Sequence, residues 1–262
     1  MYPVALTIAG SDPSGGAGVQ ADLKTFHQFG VYGEAVLTLI TVQNTQRVDR
    51  VECLDPRLVT EQIDAVIQDI PPRAAKTGAL GNHHIVEAVA QRARSFSFPL
   101  VVDPVMISKH GAPLMTREAQ QMLQRVLLPC AWLLTPNLHE ASALAGFEIT
   151  SLEDMARAAE KIRGLGARNV LVKGGHLTGK AADWLLLENG ESLVFESERI
   201  ITPHTHGTGC TYSAAITASL AIGLPLPEAI RRAKAFITEA IRSNPGLGGG
   251  SGPVNHHAPV KG

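Results

Sequence analysis

The chain has 262 residues, of which 45% are hydrophobic and 18% charged, a composition that supports a large core and excludes a disordered chain. A formal net charge of −1 argues against a broad nucleic-acid interface, which needs a basic excess. Neither a signal peptide nor an apolar run of about eighteen residues is visible, so we expect a cytoplasmic protein with no membrane partner. The widely spaced Cys53, Cys130 and Cys210 predict neither a disulfide framework nor a zinc site.

Short apolar runs alternate with segments of helical periodicity along the chain. The predicted strands are 4–9, 34–42, 48–53, 74–77, 100–103, 132–135, 169–173, 182–188 and 191–196. The predicted helices are 19–29, 55–69, 83–94, 116–127, 138–145, 152–165, one that begins near Cys210, and 227–241. Asn189-Gly190 indicates a hairpin between the last two strands. We expect one α/β domain over residues 1–262, with a mostly parallel sheet, helices on both faces and an antiparallel edge hairpin.

Six polar or glycine-rich loops each follow a predicted strand. They are GSDPSGGAG, QNT, KTG, DPVMISKHG, TPNLHEA and KGGH. In open α/β sheets, ligands bind outside the carboxyl ends of the strands. Because each loop follows the carboxyl end of a strand, the loops together predict a ligand site at one edge of the sheet.

Residues 202–224 run from a polar loop through two glycines into an alanine-rich apolar helix. Gly207 and Gly209 flank Thr208, and Cys210 lies where the helix is expected to begin. Glycine allows a tight turn, and the first N–H groups of a helix attract anions, so this stretch predicts a phosphate site. The partial positive charge at the helix start would also lower the pKa of a thiol placed there. The alternative is a structural junction with a small buried cysteine.

Other motifs fit less well. Residues 16–21 match GxGxxG/A, but residues 41–43 lack the acidic partner of a dinucleotide site. Residues 10–17 have the spacing of a Walker loop without its Lys-Ser/Thr pair. Residues 139–143 begin like HExxH but end in alanine, so they predict no zinc protease. We expect His256-His257 to lie in a solvated tail.

Five further positions are candidates for a site. Asn137 and Glu140 lie three residues apart at a helix start, so they could hold Mg²⁺ together with substrate phosphates. The alternative is a structural role, in which the helix dipole stabilises the Glu140 carboxylate. Lys173 at a strand end suits phosphate or an ordinary turn. The Gln43 amide can donate and accept, which suits the edge of a heteroaromatic base. Asp22 fits either a surface charge or a ligand contact.

Several segments together resemble one known family. In chain order they are TIAGSDPSGGAGVQADLKTF, VQNTQ, KTGAL, DPVMISKHG, LLTPNLHEA, LVKGGH, THGTGCTYSAA and GPVNHH. From Leu6 to about His257 the chain resembles the hydroxymethylpyrimidine and phosphomethylpyrimidine kinases of thiamine biosynthesis, which are ribokinase-like enzymes. The resemblance implies a three-layer ribokinase-like fold, ATP and Mg²⁺, a pyrimidine acceptor that is phosphorylated twice, and a homodimer.

The resemblance also implies a role for each candidate residue. Those expected at the anion hole and catalytic position are Gly207, Thr208, Gly209 and Cys210, and Lys109 is the candidate for neutralising an acceptor phosphate. Those expected to contact the pyrimidine are Gln43, Asp22, Gly10, Ala79 and Val105. Those expected to contact ATP are Asn137, Lys173, Thr205 and Lys234, with Glu140 and Asp103 near Mg²⁺.

We expect Cys210 to act as a thiolate general base toward the acceptor hydroxyl. Two positions depart from the family pattern: Ala79 stands where many members have methionine, and His110 stands where serine often follows Lys109. The nearest sibling group is the pyridoxal kinases, but residues 43–45 resemble the pyrimidine kinases more closely. A pyridoxal kinase and a non-catalytic ligand-binding relative remain the alternatives.

Overall fold

The computed structural model describes residues 2–107, 111, 113–175 and 180–260. Nine strands form one sheet in the order β3-β2-β1-β4-β5-β6-β7-β8-β9. The strands are β1 Val4–Ser11, β2 Tyr32–Gln43, β3 Val48–Cys53, β4 Ala74–Thr77, β5 Leu100–Val102, β6 Leu133–Leu134, β7 Asn169–Gly174, β8 Ala181–Leu186 and β9 Ser192–Ser197.

The central strands pair in parallel, and both edges of the sheet are antiparallel. Strands β2, β1, β4, β5, β6 and β7 form the parallel part. The predicted hairpin is confirmed as β8 and β9, which also extends antiparallel pairing to β7. The antiparallel pair β2–β3 was not predicted. Its cause is a tight turn in which the Asn44 side chain accepts from the N–H groups of Gln46 and Arg47.

The helices lie close to their predicted ranges. They are α1 Gly18–Gln28, α2 Pro56–Asp69, α3 His83–Ala93, α4 Arg117–Met122, α5 Leu138–Ala145, α6 Leu152–Arg163, α7 Thr208–Ala221 and α8 Leu226–Arg242. The fourth differs most from its prediction. It ends at Met122 and continues as a π-helical turn over Leu123–Leu127 and a 3₁₀ turn over Leu128–Cys130, because Pro129 cannot continue the α-helical hydrogen bonds. No described helix is long and apolar enough to cross a bilayer.

Each face of the sheet is covered by its own helices. Alternating side chains of β1 show the division, because Leu6 and Ile8 belong to one core cluster and Ala5 to the other. The first cluster contains α2 to α6 and the second contains α1, α7 and α8. The expected three-layer arrangement is therefore confirmed.

The helix starts differ in a way that matters for the site. Side-chain caps begin α2, α3, α4, α5 and α6. In contrast, the N-cap of α7 is Gly207, which has a positive φ of 76° and no side chain to cap the helix. A glycine N-cap leaves the start of this helix available to an anion.

A buried carboxyl group makes the stability of the fold depend on pH. Burial, with Asp69 nearby, raises the pKa of Glu34 from 4.5 to about 7. One Glu34 oxygen has no hydrogen-bond partner among the described residues. The folded protein therefore binds a proton on Glu34 more tightly than the unfolded chain does. Above pH 7 the carboxyl group is ionised, and its burial then lowers the stability of the folded state.

We therefore expect Glu34→Gln to stabilise the protein at pH 8 by about 1–3 kcal/mol and to have little effect at pH 4.5. Thermal unfolding at the two pH values measures this difference. Exposed Glu61→Gln is the control and should change neither value. Equal effects of Glu34→Gln at both pH values would contradict the assignment.

Candidate active site

A cavity of about 960 Å³ lies at the carboxyl ends of the parallel strands. Residues from all six predicted loops line it, together with residues 205–210. Lys109 and His110 lie outside the described residues. Every other predicted site residue lines the cavity: Gly10, Asp22, Gln43, Ala79, Asp103, Val105, Asn137, Glu140, Lys173, Thr205, Gly207, Thr208, Gly209, Cys210 and Lys234.

Two glycine-rich loops meet at backbone level beside the cavity. A Cβ added to Gly207 would lie 1.7 Å from the carbonyl oxygen of Gly16, so only glycine fits there. The Thr208 hydroxyl donates to the carbonyl of Thr205 at 2.8 Å, which fixes the loop before α7. A Cβ on Gly209 would lie 3.6 Å from the Lys173 ammonium. The start of α7 is therefore held next to a cation, which suits an anion between them.

Cys210 lies in the first turn of α7, but its thiol is not activated in this structure. Burial raises its pKa from 9.0 to about 11; Lys76 opposes the rise, and Asp22 and Asp103 add to it. The expectation of a thiolate at neutral pH is therefore wrong, because desolvation outweighs the field at the helix start.

We expect alkylation of Cys210 by iodoacetamide to rise with pH up to at least pH 10. At pH 7 the thiolate fraction should be about a hundredfold below that of a thiol with a pKa of 9. Mass spectrometry of a Cys53→Ser/Cys130→Ser background measures the rate at Cys210 alone. A plateau in labelling near pH 7 would restore the thiolate assignment.

Asp103 is the centre of a buried polar cluster. Its carboxylate accepts from Lys173 at 2.9 Å, from Thr135 at 3.2 Å and from Ser213 at 3.2 Å. Burial alone would raise the pKa of Asp103, but Lys173 and Lys76 hold it below the usual value. Asp103 and Lys173, predicted for the metal and for ATP, are thus ion-paired with each other. A bound polyanion would compete for this lysine.

Asn137 and Glu140 form the capping box of α5. The Asn137 side chain accepts from Glu140 N at 3.0 Å, and Glu140 accepts from Asn137 N at 2.9 Å. Burial raises the pKa of Glu140 to about 7; Lys173 opposes the rise and Asp103 adds to it. The structural interpretation of Glu140 is therefore confirmed, since its carboxylate caps the helix. Glu140 also lines the cavity, and its role at a metal ion stays a prediction.

The donor set suits a hard divalent cation. Asp103 and Glu140 offer carboxylate oxygens to the same cavity, and each oxygen has two lone pairs. Among the described residues, no three His, Cys, Asp or Glu side chains cluster as a metal cage. Such a cation would take its other ligands from water and phosphate, which is how Mg²⁺ is usually held.

The structure changes the assignment of Asp22. Its side chain is fully buried, and its two oxygens accept from Thr7 at 2.6 Å and from Lys76 at 2.7 Å. Lys76 is also fully buried. Because the Asp22 side chain is buried and both of its oxygens are engaged, the surface-charge alternative is wrong. Asp22 also lines the cavity, and its direct contact with a substrate stays a prediction.

Lys234 is engaged in a similar way on the other side of the cavity. Its ammonium donates to Asp183 at 2.7 Å, and the Tyr212 hydroxyl donates to the same oxygen at 3.0 Å. The other Asp183 oxygen accepts from Gly174 N at 3.1 Å. This network joins α7, α8, β7 and β8 at the cavity wall, where Lys234 was expected to contact the nucleotide.

The residues expected to contact the acceptor differ in polarity. Gln43 ends β2, and Gly10, Ala79 and Val105 form part of the cavity wall. Ala79 O accepts from the Thr38 hydroxyl at 2.6 Å, so this wall is fixed by its backbone. Gly10 packs so closely on Leu39 that an added Cβ would lie 2.4 Å from it.

Sequence reasoning missed three residues next to the cavity: Asp12, Lys76 and His206. Asp12 and His206 are buried and contact each other at 2.7 Å. The available signals were an acidic residue inside a glycine loop and a lysine inside the buried strand AAKT. Neither signal identifies a partner that is distant in sequence.

The end of the described chain also differs from expectation. Val254 N donates to His206 O at 3.3 Å, and His256 is buried with a hydrogen bond to Thr211 at 3.0 Å. Burial lowers the pKa of His256 to about 4, so it is neutral at pH 7. The expectation of a solvated tail is wrong at His256, because this segment packs against the start of α7.

Comparison with known proteins agrees with this geometry. The family model described as phosphomethylpyrimidine kinase matches residues 12–255. A hydroxymethylpyrimidine/phosphomethylpyrimidine kinase from Synechococcus elongatus is 46% identical over 260 residues, which cover 98% of each chain.

Two solved structures are similar over most of their length. A phosphomethylpyrimidine kinase from Clostridium difficile is 46% identical with a TM-score of 0.81, covering 91% of this chain and 99% of that one. A pyridoxal kinase from Bacillus subtilis, solved with ADP, is 43% identical with a TM-score of 0.90, covering 98% of both chains. From the family match over residues 12–255 and these identities, the chain belongs to the phosphomethylpyrimidine kinase family.

Proposed function

We propose that this protein is an ATP-dependent kinase that phosphorylates 4-amino-5-hydroxymethyl-2-methylpyrimidine and then its monophosphate to the diphosphate, in thiamine biosynthesis. The observation that carries the proposal is one cavity bordered by an amide at a strand end, a glycine-capped helix start and a buried Asp–Lys pair. These groups match the three needs of phosphoryl transfer, which are acceptor binding, phosphate binding and charge neutralisation.

The acceptor would bind between Gln43 and the wall formed by Gly10, Ala79 and Val105. Its ring nitrogen and amino group offer an acceptor and a donor, and the Gln43 amide can pair with both. The neighbouring wall is formed by small residues, so a single aromatic ring fits against it. In this proposed orientation the hydroxymethyl group of the acceptor points toward the start of α7.

The transferring phosphoryl group would lie at residues 207–210. Backbone N–H groups at the start of α7 hold its oxygens, and the nearby Lys173 ammonium offsets their charge. Asn137 and Thr205 would border the ATP side, with Lys234 at the cavity wall. During transfer the acceptor oxygen forms a bond to the γ-phosphorus, the bond to ADP breaks, and the hydroxyl proton is released.

Mg²⁺ is the divalent cation we propose here, held by Asp103 and Glu140, where it would offset charge on the ATP phosphates. Cys210 remains a thiol at neutral pH, so its contribution is to donate a weak hydrogen bond or to position the acceptor. In a loose transition state the alcohol loses its proton late, which reduces the need for a strong base.

The second phosphorylation has a different acceptor, which is a phosphate that is already ionised. We propose Lys109, outside the described residues, as the cation that binds this acceptor phosphate. On this basis Lys109→Ala should preserve the first phosphorylation and slow the second by tenfold or more. Product chromatography separates the monophosphate from the diphosphate, and an unchanged second step would reject the role.

The most direct test of the substrate is to supply the hydroxymethylpyrimidine and pyridoxal separately with ATP. We expect ADP release with the pyrimidine at the higher kcat/KM. The pyridoxal arm is needed because a pyridoxal kinase has the same fold with a TM-score of 0.90. Higher kcat/KM with pyridoxal would identify a pyridoxal kinase, and no ADP release with either compound would favour a non-catalytic ligand-binding protein.

We also propose that residues 1–262 form one kinase domain that works as a homodimer in the cytoplasm. The single nine-stranded sheet supports one domain, and the free Cys53, Cys130 and Cys210 suit a reducing compartment. Ile40 and Val42 on β2 are 46% and 52% exposed, which suits a contact with a second copy. Sedimentation equilibrium should give twice the 27.8 kDa chain mass; a monomer mass would reject the dimer.

A further inference from the structure

The loop after β2 is held by a segment near the end of the described chain, residues 250–254, which we call the connecting segment. Gln43 ends β2, and Thr45 lies two residues beyond it. The pairing of β2 with β3 shifts register between Val42 and Gln43, so the regular ladder is interrupted just before this loop. Ser251 N donates to Thr45 O at 2.8 Å. The loop is therefore anchored by a distant part of the chain.

The connecting segment is also hydrogen-bonded to the loop that leads into α7. The Ser251 hydroxyl donates to Pro203 O at 2.9 Å, and Gly252 N donates to His204 Nδ1 at 3.2 Å. His206 N donates to Gly252 O at 3.0 Å, and His206 directly precedes the N-cap of α7. The same few residues therefore join the end of β2 to the start of α7.

The contact with the loop after β2 is made at backbone level. A Cβ added to Gly250 would lie 2.1 Å from Thr45 O and 3.0 Å from Gln46 Cα, so only glycine permits this approach. None of residues 250–254 lines the cavity, although the structure describes all of them. Any effect of the connecting segment on a ligand must therefore pass through the two loops that it joins.

We propose that the connecting segment is a positioning element, which fixes the separation between the loop that follows Gln43 and the start of α7. Phosphoryl transfer needs the acceptor hydroxyl in line with the γ-phosphorus, so the acceptor and phosphate sites must keep a set spacing. These sites lie on parts of the chain that are distant in sequence, and the connecting segment bonds to both. This inference rests on the proposed function, because it takes Gln43 as the acceptor contact.

Gly250→Ala tests the contact with the loop after β2. Its methyl group forces the two backbones apart and breaks the hydrogen bond from Ser251 N to Thr45 O. We expect kcat/KM for the hydroxymethylpyrimidine to fall at least about tenfold, because misplacing a positioned group by about 1 Å can cost a hundredfold in rate. The KM for ATP should stay within about twofold, since the hydrogen bonds to residues 203–206 are kept.

Gly249→Ala is the matched control. A Cβ there would lie 2.6 Å from Gln46 Nε2, which is the end of an exposed side chain that can rotate away. Neither Gly249 nor Gly250 has a positive φ, so the two substitutions affect the unfolded chain alike. Gly249→Ala should keep kcat/KM for the pyrimidine within about twofold of the wild-type value.

Trypsin cleavage after Arg47 reports on the same loop without any substrate. The Arg47 side chain is 62% exposed, so cleavage depends on how readily the backbone around it opens. Gly250→Ala should speed this cleavage about threefold or more, whereas Gly249→Ala should leave it unchanged. Mass spectrometry of the first fragments identifies the cleaved bond.

The kinetic and proteolytic results together decide the proposal. Faster cleavage with unchanged kcat/KM in Gly250→Ala would show that the connecting segment holds the loop without positioning the acceptor, and would overturn it. Unchanged cleavage, equal losses of kcat/KM in Gly249→Ala and Gly250→Ala, or an equal rise in the KM for ATP would also overturn it. Failure of the wild-type protein to phosphorylate the pyrimidine would instead reject the proposed function.

A second pair of variants covers the case in which Gly250→Ala does not fold. Ser251→Pro removes the N–H that donates to Thr45 O, whereas Ser251→Ala keeps it and removes only the hydroxyl. Ser251→Pro should therefore lose clearly more kcat/KM for the pyrimidine than Ser251→Ala. Equal losses in these two variants would overturn the proposal.

Discussion

Gly207→Ala is expected to lower kcat for the first phosphorylation by at least about a hundredfold, the loss that follows removal of one hydrogen-bond donor to a developing charge. A methyl group at this position would lie 1.7 Å from Gly16 O, and the backbone has a φ of 76° that an L side chain rarely adopts. The start of α7 must therefore move away from the glycine loop. Steady-state kinetics with thermal unfolding measures the rate loss and any accompanying destabilisation.

Gly209→Ala is the control for this prediction. An added Cβ there would lie 3.6 Å from the Lys173 ammonium and 3.8 Å from Asp103, which are ordinary contacts. Because residue 209 is helical, alanine should leave stability unchanged or raise it by about 0.5–1 kcal/mol. Its rate loss should be clearly smaller than that of Gly207→Ala. Equal losses would show that any added methyl group blocks the site, whatever its effect on the backbone.

Lys173→Met is expected to be the most destabilising change at the site. It leaves the buried Asp103 carboxylate without its ion-pair partner, a loss that costs about 3–5 kcal/mol. Activity should also fall, because the cation next to the start of α7 is gone. The destabilisation should shrink as pH falls toward 4, where an unpaired buried carboxyl group takes up a proton. Chemical denaturation at pH 7.5 and pH 4.5 measures both effects.

Two further variants separate charge from packing. Asp103→Asn/Lys173→Met removes both charges and should recover much of the stability without recovering activity. Arg47→Met breaks an exposed ion pair with Asp49 and should cost no more than about 1 kcal/mol. If Lys173→Met were no more destabilising than Arg47→Met, the buried pair could not have the role given to it here.

The sequence was sufficient for most of the architecture. Strand–helix alternation predicted the parallel sheet, and the loops after the strands predicted the edge where the cavity lies. Both signals are local, since they depend on periodicity and on glycine or polar residues directly after a strand. The β2–β3 pairing was missed because its turn depends on Asn44 bonding to its own neighbours without an adjacent glycine.

The site was predictable as a set of positions but not as a network. Each candidate was judged by its own residue type, so the partners of Asp22, Lys234 and Asp12 could not be seen. The pKa of Cys210 shows the limit most clearly. The helix start was visible in the sequence, but the desolvation that dominates its pKa depends on residues brought in from other parts of the chain.

In the proposed reaction, one site transfers two phosphoryl groups in turn to a single pyrimidine. The most direct measurement counts ADP released per molecule of limiting 4-amino-5-hydroxymethyl-2-methylpyrimidine with excess ATP and Mg²⁺, and identifies the product by anion-exchange chromatography. We predict about two ADP per pyrimidine, with the monophosphate appearing first and the diphosphate at the end. One ADP per pyrimidine, with the monophosphate as the final product, would show that this site does not carry out the second transfer.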